Sequence, residues 1–267
     1  MKIRIMSAIV LIAVFVPLLI IGELPFAICM AILSMFGLYE LIKVRESKKK
    51  YPVLLKVFAY VMVFAFSFYN FDSIEFTSQF DYRVMALLLF LFLSPIVFIN
   101  DFDKYNFNDA LFLIGSLLFI GLSFNLIVIT RNFDINYIIY LLIITTITDT
   151  FALISGMLVG KHKLCPKISP KKTIEGLVGG VFMGTFIATA FYYTVINSSC
   201  SLVFLIFATM LLCLVGQLGD LVFSSIKRYY GVKDFSNLIP GHGGILDRFD
   251  SLVFVTFAFI IIKGILL

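Results

Sequence analysis

Residues 110–129 read ALFLIGSLLFIGLSFNLIVI, twenty positions without a single charged side chain. A helix rises about 1.5 Å per residue, so this run makes a rod of roughly 30 Å, the thickness of a bilayer's hydrocarbon core. Similar runs fill most of the chain. Of 267 residues 61% are hydrophobic and 14% charged, and the mean hydropathy is +1.07. A soluble domain needs roughly 25% charged residues to cover its surface. The excess apolar surface here must face lipid.

Working outward from residues 110–129, the candidate spans are Ile5–Ile21, Leu24–Ile42, Val53–Phe71, Val84–Ile99, Ala110–Ile129, Ile135–Val159, Leu177–Ile196, Leu202–Val222 and Leu252–Leu267. The fold class is therefore all-α, a polytopic integral membrane protein of about nine transmembrane helices. Only Gly22 and Glu23 separate the first two runs, so one long helix is the competing reading there. The first run leads almost directly into a second and reads as an anchor, with no cleavable leader evident. Basic residues set the orientation. With the N-terminus cytoplasmic and the C-terminus outside, 18 of the 21 Lys and Arg residues fall inside, leaving Arg83, Arg131 and Lys263 outside. The run Lys48–Lys50 reads as a determinant of this topology, without a catalytic role. Residues 1–140 form a scaffold of lipid-facing helices, and 141–267 carry the helices joined by loops 160–176 and 224–250.

The net charge of +5 is spread over short loops, which excludes a nucleic-acid footprint and favours anionic headgroups and phosphorylated ligands. Cys29, Cys165, Cys200 and Cys213 lack any CxxC or His-linked spacing, so neither a disulfide framework nor a zinc site is expected. The segment Asp72–Arg83 reads as an ordinary solvated connection.

Carboxylates at membrane depth are costly and usually face a cavity with a partner. Asp149 lies inside the sixth run, Asp220 two residues from the end of the eighth with Gln217 on the same face, and Asp247 and Asp250 at the opening of the ninth. Each alone could be a cap or a salt-bridged interior acid; three near one membrane level suit a site better. Loop 224–250 adds Lys227, Arg228, Lys233 and Arg248 around the glycine-rich Pro240–Gly244, just before a helix begins. Free N–H groups at a helix start bind phosphate. Asp220, Asp247 and Asp250 are the hard oxygen ligands that suit Mg²⁺, which also keeps waters and phosphate oxygens. In loop 160–176, Thr173 is placed to cap the next helix. The strip Lys167–Thr173 also offers Lys167, Ser169, Lys171, Lys172 and Thr173 to phosphate. Neither loop holds a GxxxxGK[ST] pattern, so a P-loop ATPase is excluded.

The pattern Ser224-x-Ile226-Lys227-Arg228, then Lys233-Asp234, then Pro240-x-His242-Gly243-Gly244-x-x-Asp247-Arg248-x-Asp250 resembles the signature of the phosphatidate cytidylyltransferases (CDP-diacylglycerol synthases). The strip Ser169–Gly176 and Asp149 with Gly156, Gly160 and Lys161 resemble further motifs of that family. The likeness in detail covers roughly the C-terminal half. It implies transfer of the cytidylyl group of CTP to phosphatidate, giving CDP-diacylglycerol and pyrophosphate, on the cytoplasmic side of the cell membrane. It further implies Mg²⁺ on Asp220, Asp247 and Asp250, with room for a second or a monovalent cation. Lys171, Lys172, Lys227 and Arg228 would clamp phosphates, while Lys233, His242, Gly243, Gly244 and Arg248 would serve substrate binding. Asp149 and Glu175 would position lysines, and His242 would either shape the glycine loop or donate to phosphate. The partners implied are CTP, phosphatidate and the bilayer, with a homodimer left open and no nucleic acid. Two other classes share parts of the pattern. A CTP-dependent lipid kinase would release CDP; a transporter would carry polar residues to both faces, and the outer loops here are poor in them.

Overall fold

The computed structural model describes residues 2–69, 82–197 and 201–266. Residues 72–81 of the expected solvated connection, and Cys200, lie outside the described residues. The chain divides into two compact units, Met1–Phe133 with Asp234–Leu246, and Asp134–Lys233 with Asp247–Leu267. The division falls at 133/134 rather than 140, and residues 234–246 group with the N-terminal helices.

The first unit holds α1 (Lys2–Ile21), α2 (Glu23–Glu46), α3 (Val53–Phe68), α4 (Tyr82–Leu93), α5 (Pro95–Ile99) and α6 (Phe107–Phe133). The first two runs are two helices, because Gly22 and Glu23 both take positive φ, 69° and 43°. Arg131 closes the break: its Nε and Nη2 donate to the Leu19 and Ile20 carbonyls at 2.8 and 2.6 Å. Those are orphan acceptors of a helix end, which a cation satisfies well. The fourth run is interrupted at Ser94, where Pro95 starts a new short helix, and the Phe92 carbonyl at the break accepts from the Tyr105 hydroxyl at 2.8 Å. Helices α2, α3 and α6 pack on one another. Residues Ala110, Leu113, Leu117, Ile120, Phe124 and Ile127 of α6 recur at the helical period and are fully buried or nearly so.

Among the described residues of this unit, the buried charges Asp109 and Glu40 are both partnered. Asp109 caps the start of α6 together with Asn106: each side chain accepts from the other's backbone N–H. Asp109 also takes Arg45 at 3.2 Å and Lys49 at 2.5 Å. Lys49, expected to serve topology alone, is thus part of a buried ion cluster. Glu40, fully buried on α2, accepts from Ser236 Oγ at 2.5 Å and from the backbone N–H groups of Ile245 and Leu246 at 2.8 and 2.9 Å. A side chain at Gly244 would place its Cβ 2.5 Å from Glu40 Oε1, which is why glycine stands there.

The second unit holds α7 (Ile135–Val159), a hairpin of β1 (Lys163–Cys165) and β2 (Ser169–Thr173), α8 (Ile174–Phe191, continued as a π-turn over Tyr192–Ile196), α9 (Leu202–Tyr229) and α10 (Leu246–Leu266). The hairpin amends the all-α expectation. It pairs Lys163 with Thr173 and Cys165 with Ser169. The contact of α7 with α8 is the closest in the unit, because small residues face each other. Cβ atoms built on Gly176, Gly180 and Gly184 would lie 2.7, 2.6 and 2.2 Å from atoms of Ala152 and Thr148. Gly219 does the same for α9 and α10; its Cβ would sit 2.8 Å from the Asp250 carbonyl. The expected loop 224–250 is shorter, since Ser224–Tyr229 extend α9 and α10 begins at Leu246. Among the described residues, five helices are long and apolar enough to cross a membrane, and shorter apolar helices accompany them. The chain is a helical membrane protein.

Removing the Glu40 carboxylate leaves two buried backbone donors and the half-buried Ser236 hydroxyl without this acceptor. Glu40→Ala should therefore lower stability by roughly 3 kcal/mol, given about 1–3 kcal/mol for each buried group left unpaired. Thermal unfolding in detergent checks this; an unchanged melting temperature would show that Glu40 does not hold the start of α10.

Candidate active site

The second unit gathers its polar chemistry at one end of α7, α8, α9 and α10. Thr173 caps α8 by accepting from the Gly176 N–H at 3.1 Å, which fixes where strand β2 stops and where Lys172 points. Neighbours on a strand face opposite ways. Lys171 is exposed, whereas Lys172 is turned inward and only 20% exposed at its side chain.

The Lys172 Nζ lies 2.7 Å from Asp220 Oδ2 and donates to Gln217 Oε1 at 3.0 Å. Gln217 and Asp220 are three residues apart on α9, so one ammonium can reach both. The Gln217 amide then donates from Nε2 to Asp149 Oδ1 on α7 at 2.6 Å. Ser224, one turn beyond Asp220, donates to Asp220 Oδ1 at 3.2 Å. Three elements, α7, β2 and α9, are thereby joined through side chains, and the α10 backbone comes close to α9 at Gly219.

On α10, Asp247 Oδ1 meets Lys227 Nζ at 2.6 Å, with side chains 4% and 9% exposed. Asp250, half-buried, lies one turn along α10 from Asp247, and its backbone carbonyl approaches α9 at Gly219. Asp149, Lys172, Asp220, Lys227 and Asp247 are thus brought to one region of the second unit, with Asp250 on the adjoining turn. Arg248, between Asp247 and Asp250 in sequence, is exposed. Asp149, expected to position a lysine, is linked to Lys172 through the Gln217 amide.

Other expectations are placed differently. Glu175 positions no lysine side chain. It accepts from the backbone N–H groups of Lys161 and His162 and meets His162 Nδ1 at 2.6 Å, tying the start of α8 to the end of α7. Arg228 donates to the carbonyls of Ile168 at 3.2 Å and Val232 at 2.9 Å, anchoring the hairpin to α9. Lys167 and Lys233 are exposed and Ser169 is half-buried.

His242, Gly243 and Gly244 belong with the first unit. His242 Nδ1 is 2.8 Å from Ser7 Oγ, which donates to the Pro240 carbonyl at 3.0 Å. Gly241 and Gly243 adopt φ of 79° and 84°, and the turn they make is closed by Ile239 and Gly243. The α10 N-terminus that sequence spacing offers to phosphate is met by Glu40, whose carboxylate takes the N–H groups of Ile245 and Leu246. Gly244 leaves room for the carboxylate, and the backbone N–H groups just after it meet an anion of the chain's own. Glu40 was missed because its partners lie about 200 positions away; the signal was an acid inside the apolar run Leu24–Ile42.

A divalent cation fits the carboxylates in one form only. Among the described residues no three His, Cys, Asp or Glu lie within reach of a single ion, so a closed three-aspartate cage is not what the fold builds. Mg²⁺ asks for less, taking one or two carboxylates and filling the rest with waters and phosphate oxygens. Asp220 follows Gly219 on α9, where the backbone of Asp250 on α10 comes close.

The chain is matched by the cytidylyltransferase family over residues 2–266. It is 37% identical over 256 residues to a phosphatidate cytidylyltransferase of Staphylococcus aureus strain COL, covering 96% of each chain. It is 36% identical over 259 residues to the phosphatidate cytidylyltransferase of Bacillus subtilis strain 168, covering 96% of this chain and 94% of that one. A Staphylococcus haemolyticus phosphatidate cytidylyltransferase is 34% identical over 256 residues, again 96% of each. Matched along almost its whole length, the chain belongs to the cytidylyltransferase family, with the phosphatidate cytidylyltransferases, and is a nucleotidyltransferase.

Proposed function

We propose that the chain transfers the cytidylyl group of CTP to phosphatidate, forming CDP-diacylglycerol and releasing pyrophosphate at the cytoplasmic face of the cell membrane. The observation that carries this reading is the Lys172–Asp220–Gln217–Asp149 network at the end of apolar helices, with the Lys227–Asp247 pair beside it. A lipid phosphate stays at the membrane surface and a nucleotide arrives from water, so a polar cluster capping apolar helices suits both. The family membership narrows the chemistry to cytidylyl transfer.

In this reaction a phosphate oxygen of phosphatidate attacks the α-phosphorus of CTP, and the bond from that phosphorus to the bridging oxygen of the leaving pyrophosphate breaks. The attacking oxygen is already anionic near pH 7, so no side chain need remove a proton. What the protein supplies is placement and positive charge where charge shifts. Lys172 and Lys227 hold their ammonium groups against carboxylates and exchange those partners for phosphate oxygens when substrates enter. Gln217 keeps Lys172 aimed during the exchange, and Asp149 fixes the Gln217 amide. Lys171, Arg228, Lys233 and Arg248 form a wider basic rim. Asp220 and Asp250 would hold Mg²⁺, which supplies charge neutralisation on the phosphate oxygens.

Purified protein in detergent should convert CTP and phosphatidate into CDP-diacylglycerol with one pyrophosphate per turnover; release of CDP would mean phosphorylation instead. Asp220→Asn and Lys172→Gln should each cut kcat/KM by roughly 2–4 kcal/mol, the scale for losing one preorganised charged group. Lys50→Gln, an exposed charge from the first unit, is the control and should change little. If either site variant keeps more than about a tenth of parent activity, a loss under ~1.4 kcal/mol, that residue has no principal role.

Direct transfer also fixes the order of events. The one hydroxyl paired with a carboxylate among the described site residues is Ser224 on Asp220. That carboxylate is already held by Lys172, which makes it a poor base, whereas phosphatidate is itself a competent nucleophile. Radiolabelled pyrophosphate should therefore exchange into CTP only when phosphatidate is present. Exchange by delipidated protein alone would show a covalent cytidylyl-enzyme.

A further inference from the structure

An apolar groove of about 790 Å³ runs along α8 and α9. Its α9 wall is Leu202, Ile206, Met210 and Leu214, spaced four apart on one face. Three residues further along the same face stands Gln217, the amide that bridges Lys172 and Asp149. The α8 wall is built the same way, from Leu177 beside the Thr173 cap, past Val181, Thr185 and Thr189, to Tyr193. One stripe on α9 therefore starts as apolar wall and ends in the charged cluster. From Leu177 to Thr194 the α8 wall is about 26 Å long at 1.5 Å per residue, deeper than the ~15 Å of one leaflet.

The lining is almost wholly apolar, and the threonine at its far end turns its hydroxyl back to its own helix, Thr194 Oγ1 donating to the Ala190 carbonyl at 2.8 Å. The opposite face of α8 is the glycine stripe packed on α7, so the groove side is free of that packing. The length and apolar lining of the groove suit a long hydrocarbon tail, and the groove's end at Leu177 and Leu214 lies toward Gln217, which accepts from Lys172.

We propose that the α8–α9 groove holds an acyl chain of the phosphatidate substrate, seating the lipid with its phosphate at Lys172. This rests on the proposed function and adds the lipid's binding determinant to it. The groove then makes turnover depend on chain length, because a short chain occupies only the end near Leu177 and Leu214. Ala190 is exposed on the α8 wall, about 20 Å along the helix from Leu177.

The test compares dihexanoyl with dioleoyl phosphatidate in mixed micelles, using the full chain and the variants Ala190→Trp and Ile206→Trp, which fill the groove from opposite walls. With dioleoyl phosphatidate kcat/KM should fall roughly 10-fold or more, the scale of overfilling an apolar site. With dihexanoyl phosphatidate both variants should match the parent. Equal losses for the two lipids in both variants, or no loss with either, would overturn the proposal and leave bulk lipid as the groove's occupant. No turnover by the parent with either lipid would instead defeat the functional reading, and this inference with it.

Discussion

An ammonium and a carboxylate inside a bundle of apolar helices are each untenable alone, and Lys172 with Asp220 is the pair on which the second unit depends. Burial penalises each charge by several kcal/mol, and the penalty is offset only when the partner sits at contact distance with its remaining lone pairs met. Ser224 and Gln217 meet them here. The pair thus draws strand β2 onto α9, and Gln217 extends the link to α7 through Asp149. The glycine stripes make this possible, since wider side chains at Gly176, Gly180 or Gly219 would hold the helices too far apart for the side chains to meet.

The same constraint explains the first unit, where it serves architecture. Asp109 gathers Arg45 and Lys49, and Glu40 gathers a serine hydroxyl and two backbone N–H groups at the start of α10. A carboxylate that ends a helix dipole is in a favourable place, because partial positive charge collects there. The two kinds of buried acid differ in their partners. Glu40 is held by two backbone N–H groups and a serine hydroxyl, whereas Asp220 and Asp247 are held by lysines on flexible stems.

Much of this was legible from residue order. The apolar runs correspond to helices because a helix satisfies its whole backbone within one segment in lipid and these runs lack the alternation of a barrel strand, and the break at Gly22 was marked by glycine and an acid. The acids and lysines that the second unit pairs, Asp149, Lys172, Asp220, Lys227 and Asp247, stand out in the sequence against their apolar surroundings. Their pairing was not legible. Lys172 and Gln217 are 45 positions apart and Glu40 and Leu246 are 206 apart, and no local periodicity encodes which acid meets which base. The end of α9 was misjudged for a related reason: Ser224–Tyr229 is polar enough to read as loop, yet its residues lie on helical faces with Ser224 back-bonded to Asp220. The glycine-rich turn was read as a seat for phosphate because its backbone is built for an anion; that the anion is Glu40 is a tertiary fact.

If Asp220 is shared between a lysine and a divalent cation, the two compete for it, and removing the lysine must free the carboxylate. Binding of Mn²⁺ in place of Mg²⁺, followed by electron paramagnetic resonance on detergent-solubilised protein without nucleotide, measures that competition. The Lys172→Met variant should bind Mn²⁺ more tightly than the parent while turning over more slowly. Mn²⁺ binding that is unchanged or weaker in Lys172→Met would contradict the shared carboxylate.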